Sequence, residues 1–151
     1  MSSSTAWLVR RAAWRDEALL LAWRNDPAAR SASHSEALVT PEMHRRWFAA
    51  ALANSERRIF IAELDSAPVA MARLDREAVG YQLSWYVAAD ARGRGVGRRL
   101  LADVLAQLRR YGDPGPVRAE IKPDNAASIR VAEAAGLRLE ALRDGVLHFR
   151  A

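Results

Sequence analysis

Apolar residues cluster at helical spacing in the first third of the chain and predict two helices there. The first covers residues 15–24, and the polar run Asn25-Asp26-Pro27 is expected to end it. Thr40 offers a capping hydroxyl ahead of a proline and an early acid, so a second helix should run from there to about Asn54. The apolar positions of this second helix are Met43, Trp47, Phe48, Ala51 and Leu52.

From Arg58 onwards the pattern changes to short apolar or alternating segments, which predict strands. Together with a strand near the start, the predicted strands are 7–10, 59–62, 68–72, 81–87, 117–121 and two short strands that flank Asp144-Gly145. Residues 65–67 should form the hairpin turn between the second and third of these strands.

Two further helices are predicted between the later strands. A strongly amphipathic helix follows residues 90–97, and the run Gly112-Asp113-Pro114-Gly115 should close it. Its apolar stripe consists of Leu100, Leu101, Val104, Leu105 and Leu108. The other helix should run from Asn125 to near Gly136. This order of elements predicts an α/β fold, with a mixed sheet that carries helices on both faces.

Length and composition limit the classes of protein to consider. A chain of 151 residues is typical of one compact domain, so we expect a single domain over residues 1–151. No cysteine is present and the three histidines lack metal-ligand spacing, so we expect neither disulfides nor a metal. The chain has no apolar run near the roughly 18 residues of a membrane span and no signal-peptide pattern, so we expect a cytoplasmic protein away from membranes.

The positive charge of the chain is almost wholly arginine. The formal net charge is +5, and Lys122 is the only lysine among the 23 basic residues. Such a balance is compatible with nucleic acid, an acidic membrane surface or a phosphorylated small molecule as the partner. The basic residues are spread over every segment and no nucleic-acid motif is present. We therefore expect a small-molecule partner and no nucleic acid.

Residues 90–101, Asp-Ala-Arg-Gly-Arg-Gly-Val-Gly-Arg-Arg-Leu-Leu, place three glycines between a predicted strand and a predicted helix. A glycine-rich turn at a helix N-terminus presents backbone N–H groups and the positive end of the helix dipole to an anion. The glycines are too close together for the dinucleotide-binding Gly-x-Gly-x-x-Gly pattern, and the Gly-Lys-Ser/Thr ending of a P-loop is absent. The segment therefore predicts a phosphate site of another kind.

With the strand before it and a second strand-to-helix turn at 125–128, this segment resembles the GNAT acetyltransferase superfamily. Arg92, Gly95 and Gly97 match its pyrophosphate signature, Gln/Arg-x-x-Gly-x-Gly/Ala. The resemblance implies one GNAT domain with a mostly antiparallel sheet of about six or seven strands, and acetyl-coenzyme A (acetyl-CoA) as cosubstrate. The cofactor-binding residues that it implies are Trp85, Tyr86, Val87, Arg92, Gly93, Arg94, Gly95, Val96, Gly97, Arg98, Asn125 and Ser128.

Acetyl transfer to an amine needs a polarised thioester carbonyl and a proton for the departing thiolate. Because the chain has no cysteine, we expect direct attack of the amine within a ternary complex. Many relatives carry a tyrosine that protonates the thiolate, but the matching position here is Ala132. Tyr86, Ser128 or a bound water must then supply the proton.

The base that accepts a proton from the amine stays open. Glu120, His34 and His44 are the candidates, whereas Gln82 cannot act where relatives often carry a glutamate. An amine of low basicity would need less help from a base. The catalytic residues that we select are Tyr86, Glu120 and Ser128.

The acceptor half of the chain resembles the GNAT branch that acetylates the 4-amino group of nucleotide-linked amino sugars, including the pseudaminic acid pathway enzymes. The resembling segments are 21–27, Arg30, 35–36, 40–48, 57–60 and 121–128. The implied acceptor is a uridine diphosphate (UDP) amino sugar, with Arg24, Asn25, Arg30 and His34 in its cleft.

Two alternatives remain from the sequence: a protein N-terminal or lysine acetyltransferase of the ribosomal-protein type, and a coenzyme A-binding domain without catalysis. The sugar isomer and whether the chain forms a homodimer also stay open.

Overall fold

A computed structural model describes residues 5–111 and 115–151 of the chain. These residues form seven strands and five α-helices. The strands are β1 (Trp7–Arg11), β2 (Arg57–Leu64), β3 (Ala67–Arg76), β4 (Tyr81–Val87), β5 (Val117–Ile121), β6 (Arg138–Arg143) and β7 (Val146–Arg150). The helices are α1 (Glu17–Arg24), α2 (Pro27–Ala32), α3 (Pro41–Ala53), α4 (Val96–Arg110) and α5 (Ala126–Ala134).

All seven strands belong to one sheet, in the order β1-β2-β3-β4-β5-β7-β6. Every neighbouring pair is antiparallel except β4 and β5, which run parallel. A parallel pair needs a long crossover connection, and α4 provides it. The predicted mixed, mostly antiparallel sheet is confirmed.

Helices cover both faces of the sheet, as predicted. Side chains alternate along β2, so that Phe60 and Ala62 join the core beneath α4 whereas Ile59 and Ile61 join a second core beneath α1 and α3. The α4 core contains the predicted stripe of Leu100, Leu101, Val104, Leu105 and Leu108. The second core is centred on Phe48, which is fully buried. The two helical layers are thus built on two cores, one on each side of the sheet, and Trp23 packs against both.

The predicted elements are present, with one helix added. Asn25-Asp26-Pro27 does end α1, but Pro27 also begins α2, because proline fits the first position of a helix where its missing N–H is not needed. Thr40 caps α3 as predicted and accepts a hydrogen bond from the Met43 amide at 3.2 Å. Of the predicted closure of α4, residues 112–114 lie outside the described residues. In the described part of the chain, no helix has the length and apolarity needed to cross a bilayer.

Candidate active site

The parallel strands β4 and β5 pair at only two positions. Tyr81 pairs with Val117 and Gln82 with Arg118, and beyond them the two strands separate. A cleft of about 1070 Å³ opens at this separation, which is large enough for a substrate of the size of a cofactor. One side of the cleft is formed by the loop before α4 and the start of α5, and the other side by α1, α2 and α3.

The glycine loop, which we define as residues 92–97, lines the cofactor side of the cleft. Gly93 and Gly95 have φ angles of +79° and +74°, which are strained for any residue with a side chain. A Cβ added at either glycine would meet no atom of the described chain within 4 Å, so a side chain there would enter the cleft. The side chain of Arg94 turns away and donates to the Asp90 carbonyl at 2.8 Å.

Free backbone donors lie at the start of α4. The Arg99 amide donates to the Gly95 carbonyl at 3.1 Å, so the helix provides no acceptor for the three amides before it, those of Val96, Gly97 and Arg98. The Arg98 side chain lines the cleft, whereas the Arg99 guanidinium lies 4.5 Å from the centre of the Trp7 ring. The site therefore has the donors and the helix dipole that a pyrophosphate requires.

Gly97 has a different role from the other two loop glycines. A Cβ at Gly97 would lie 3.1 Å from Val131 Cγ2 on α5 and 3.2 Å from Val87 Cγ2 on β4. These contacts are tighter than ordinary van der Waals packing, so glycine allows α4 to lie close to both elements. The third glycine of the signature thus sets the packing behind the loop.

The Arg92 side chain joins the glycine loop to both sides of the cleft. Its Nε donates to the Val87 carbonyl at 3.0 Å, and a terminal nitrogen donates to the Asp26 carboxylate at 3.2 Å. The guanidinium also lies 5.6 Å from the centre of the Tyr86 ring. Arg92 therefore ties the loop to β4 and to Asp26, the residue that precedes α2.

The Tyr86 hydroxyl donates to the same Asp26 carboxylate at 2.9 Å, and its ring packs on Trp23 with a centroid distance of 5.4 Å. Burial and the hydrogen bond to Asp26 raise the pKa of Tyr86 to about 12. The phenol is therefore protonated at neutral pH, and its proton forms the hydrogen bond to the Asp26 carboxylate.

The start of α5 presents polar groups from the cofactor side. Asn125 caps the helix by accepting a hydrogen bond from the Ser128 amide at 3.2 Å, and both residues line the cleft. Within the described chain, the Ser128 hydroxyl makes no hydrogen bond. Ala132 is fully buried and does not line the cleft, so the position that carries a tyrosine in many relatives belongs to the core here.

Two of the four predicted acceptor residues lie outside the cleft. The Asn25 side chain is bonded on both sides to Val39, donating to its carbonyl and accepting from its amide, each at 2.8 Å. Arg30 donates to the Glu36 carbonyl at 2.9 Å. Neither side chain lines the cleft, because both hold the α2–α3 loop, residues 33–40, from behind. The acceptor contact of these two residues stays a prediction, while the structure shows both side chains bound to the α2–α3 loop.

The other two predicted acceptor residues, Arg24 and His34, do line the cleft. Arg24 donates to the Ser35 carbonyl at 3.0 Å, and its second terminal nitrogen is buried with no hydrogen-bond partner in the described chain. His34 Nε2 lies 2.8 Å from Glu120 Oε2 on β5. The structure thus brings together His34 and Glu120, two predicted functional residues that lie 86 residues apart in the sequence.

The far end of the cleft is aromatic and basic. The Trp47 ring lies near two guanidinium groups, with Arg57 at 5.8 Å and Arg73 at 5.6 Å from its centre. The Nε of each arginine donates to Asp75, at 2.6 Å and 2.9 Å respectively. His44 lies beside this group, is buried, and faces Glu17 at 3.2 Å. Trp47, Arg73 and His44 line the cleft.

Comparison with known proteins decides the family. The model of the acetyltransferase (GNAT) domain matches residues 7–138 of the chain, which is most of its length. The chain belongs to the GNAT acetyltransferase family. The predicted enzyme class, an acetyl-CoA-dependent N-acetyltransferase, is thereby confirmed.

Solved structures show that the whole GNAT fold is present. A ribosomal-protein-alanine N-acetyltransferase from Brucella melitensis is 27% identical, with a TM-score of 0.79 over 95% of this chain and 98% of that chain. A putative acetyltransferase from Salmonella typhimurium, solved with its cofactor acetyl-CoA, is 23% identical with a TM-score of 0.79, covering 97% and 93%. An aminoglycoside acetyltransferase in complex with coenzyme A and kanamycin is 19% identical with a TM-score of 0.82, covering 97% and 94%. No curated protein sequence matches the chain significantly.

Sequence reasoning on this GNAT domain missed Asp26 and Arg73. The sequence predicts Asp26 only as part of the segment that ends the first helix, whereas the fold brings its carboxylate to Tyr86 and Arg92, which are 60 and 66 residues away. Arg73 lies one residue beyond the predicted strand 68–72, and the structure places it inside β3. Among the described residues, no group of three side chains could hold a metal ion.

The Asp26 contact predicts how Tyr86 titrates. Replacing Asp26 with asparagine removes a carboxylate that favours the protonated phenol, so the pKa of Tyr86 should fall from about 12 while burial keeps it above the ordinary tyrosine value. In the native protein this group stabilises the fold below the unfolded tyrosine pKa, and the stabilisation is lost as pH rises towards 12. Alkaline titration of tyrosinate absorbance should show one ionisation moving to lower pH, with Tyr86→Phe identifying it. An unchanged titration would contradict the contact.

Proposed function

We propose that this GNAT domain transfers the acetyl group of acetyl-CoA directly to a primary amine, the 4-amino group of a UDP-linked amino sugar. The donor would enter by the glycine loop and the acceptor from α1 and α3. The observation that carries the proposal is the cleft itself, which is continuous between these two ends and is lined by guanidinium groups along its length. We propose that the reaction takes place in the cytoplasm.

The donor half of the proposal is supported by the fit of the loop to a pyrophosphate. Gly93 and Gly95 leave the space in front of the backbone empty, and the first-turn amides of α4 face an anion with the positive end of the helix dipole behind them. The part of β4 with Trp85, Tyr86 and Val87 has no partner strand on the β5 side, so its backbone can pair with the pantetheine arm and polarise the thioester carbonyl. Asn125 and Ser128 close this end from α5.

Of the three side chains predicted to be catalytic, two are assigned to the chemistry, Ser128 and Glu120. Ser128 lines the cleft and its hydroxyl makes no hydrogen bond in the described chain, so we assign it to relay a proton to the departing thiolate. The Tyr86 hydroxyl donates its hydrogen bond to Asp26, and the residue serves mainly as a wall of the cleft. Glu120 supplies negative charge where the amine must lose a proton.

The acceptor half is supported by charge. The side chains that line the cleft include five arginines but only two carboxylates. The arginines are Arg24, Arg73, Arg92, Arg98 and Arg130, and the carboxylates are Glu77 and Glu120. In the described chain Arg73 uses only its Nε, so its terminal nitrogens can take the diphosphate of the acceptor. Such a cleft favours an anionic acceptor over a polycationic aminoglycoside.

A second candidate is acetylation of a protein N-terminus. The observation that favours it is the 27% identity to the ribosomal-protein-alanine N-acetyltransferase, the highest of the three relatives described above. A third candidate is a coenzyme A-binding domain without catalysis, because Ala132 stands at the position where many relatives carry a tyrosine.

The test is acetyl-CoA-dependent thiol release against UDP-4-amino sugars, with peptides that carry a free N-terminus and kanamycin in parallel arms. We expect turnover with a UDP sugar, and we expect Arg73→Gln to raise its KM about tenfold, because one charged hydrogen bond contributes roughly 1.5–3 kcal/mol. The Kd for acetyl-CoA should not change, since Arg73 lies at the far end of the cleft. Arg58→Gln, on the neighbouring strand, serves as the matched control.

Turnover of peptides alone would replace the sugar by a protein acceptor. Tight acetyl-CoA binding without thiol release in the presence of any amine would show that the domain binds coenzyme A but does not catalyse the transfer. An acceptor KM that is indifferent to Arg73→Gln would contradict the assignment of Arg73 to the diphosphate.

A further inference from the structure

The α2–α3 loop is held in place by an unusual number of side chains. Arg24 bonds to the carbonyl of Ser35, Arg30 to that of Glu36 and Asn25 to both backbone groups of Val39. From the other side of the cleft, Lys122 Nζ lies 3.8 Å from the Glu36 carboxylate of the loop, and it donates to the Ser31 carbonyl of α2 at 2.8 Å. A loop fixed at so many points can hold one of its side chains in a defined position.

The side chain that these contacts hold is His34. Its Nε2 lies 2.8 Å from Glu120 Oε2. An ionised carboxylate can only accept a hydrogen bond, so Nε2 carries the proton and the lone pair of the neutral ring is on Nδ1. Within the described residues Nδ1 has no hydrogen-bond partner, and about 65% of the side chain is exposed in the cleft. In its neutral form the imidazole therefore presents an unused Nδ1 lone pair to the substrate space.

The position of Glu120 places this imidazole at the opening between β4 and β5. Gln82 pairs with Arg118, so two residues further along Glu120 is level with Ser84, where the strands have separated. Ser84 and Glu120 both line the cleft. The thioester end of the donor is expected in this opening, beside the backbone of β4.

We infer that His34 is the general base of the acetyl transfer and that Glu120 is its positioning residue. His34 Nδ1 accepts the proton of the amine as the nitrogen bonds to the acetyl carbon and the carbon–sulfur bond breaks, and the thiolate takes a proton from a water molecule through the Ser128 hydroxyl, which is reprotonated by that water. Glu120 keeps Nε2 protonated and stabilises the imidazolium until it loses the proton to water. The inference rests on the proposed acetyl transfer but not on the identity of the acceptor.

The titratable and charged groups around His34 come from every neighbouring element. They are Glu120 on β5, His148 on β7 at 3.8 Å from Glu120, Lys122 after β5, Arg30 on α2 and Glu36 in the loop. His148 contacts the same carboxylate but does not line the cleft, which makes His148→Gln the matched control.

The kinetic test uses whichever amine turns over best in the acceptor panel. We expect His34→Gln to lower kcat about 100-fold at neutral pH with the acetyl-CoA Kd unchanged, in the lower range for loss of a general base. The fold loss in kcat should become smaller as the pH rises, because more of the amine is then already deprotonated in solution. Imidazole added to His34→Gly should restore part of the rate, which a purely structural histidine would not allow. A kcat within threefold of the native value, or no rescue by imidazole, would overturn the inference.

A second measurement does not depend on an acceptor. Nitrogen-15 NMR of histidine-labelled protein, assigned with His34→Gln, should show His34 with Nε2 protonated and Nδ1 bare, and Glu120→Gln should alter this signal. His148→Gln should leave the His34 tautomer and kcat unchanged. A His34 ring protonated on Nδ1 alone would overturn the inference even if no amine is found. Turnover with the expected His34 dependence on a peptide would support the base while replacing the proposed sugar.

Discussion

Replacing Gly95 with glutamate should weaken acetyl-CoA binding about 1000-fold while leaving the domain folded. The native φ of +74° costs a residue with a side chain about 1–2 kcal/mol. The new carboxylate would also compete with the pyrophosphate for the first-turn amides of α4, and each charged hydrogen bond lost is worth about 1.5–3 kcal/mol. Because a Cβ at Gly95 meets no protein atom within 4 Å, most of the effect falls on the ligand. Isothermal titration with acetyl-CoA measures it.

Gly145→Glu is the matched control. Gly145 has a φ of +75° in the turn between β6 and β7, and a Cβ there also meets nothing within 4 Å. The two variants therefore share the backbone strain, but only Gly95 faces the cleft. We expect Gly145→Glu to lower stability by about 1–2 kcal/mol and to bind acetyl-CoA normally. Equal affinities in the two variants would show that the glycine loop does not hold the pyrophosphate.

The sheet could be predicted because its signals are local. Alternation gave the bounds of β4 and β5 without error, and Asp144-Gly145 predicted the last hairpin, where both residues have positive φ as a tight turn requires. α2 was missed because the same proline that ends one helix is well suited to begin the next. A helix of six residues also has too few turns for its apolar residues to show the helical period.

The cofactor side of the cleft was predictable because one contiguous motif builds it. The acceptor side is made by contacts between distant segments, so residue type alone could not separate Arg24 and His34, which line the cleft, from Asn25 and Arg30, which hold the loop from behind. All four lie within residues 24–34, and only the direction of each side chain distinguishes those that line the cleft.

The two separate cores suggest that donor and acceptor binding can be altered independently. α4 and α5, which carry the donor side, pack on one face of the sheet. α1 and α3, which carry the acceptor side, pack on the other face around Phe48. A defect in the second core should therefore damage the acceptor side first.

Phe48→Ala tests this separation and should cost about 3–5 kcal/mol of unfolding free energy, or roughly 10 °C in Tm, as expected for a buried phenylalanine. The Phe48 ring is fully buried and lies 5.4 Å from Trp14, 5.9 Å from His44 and 6.3 Å from Trp47, measured between ring centres. Its loss leaves His44 and Trp47, two walls of the acceptor end, without their support. We expect the acceptor KM to rise while the acetyl-CoA Kd stays within about twofold.

Leu52→Ala on the same helix is the control for Phe48→Ala, because Leu52 is 40% exposed and should lose less than about 1 kcal/mol. Thermal unfolding, acetyl-CoA titration and acceptor kinetics on the two variants separate the possible results. A parallel loss of donor affinity in Phe48→Ala would mean that the sheet transmits the defect and that the two cores act as one. A loss confined to the acceptor side would mean that acceptor specificity can change in α1 and α3 without disturbing the loop that binds the donor.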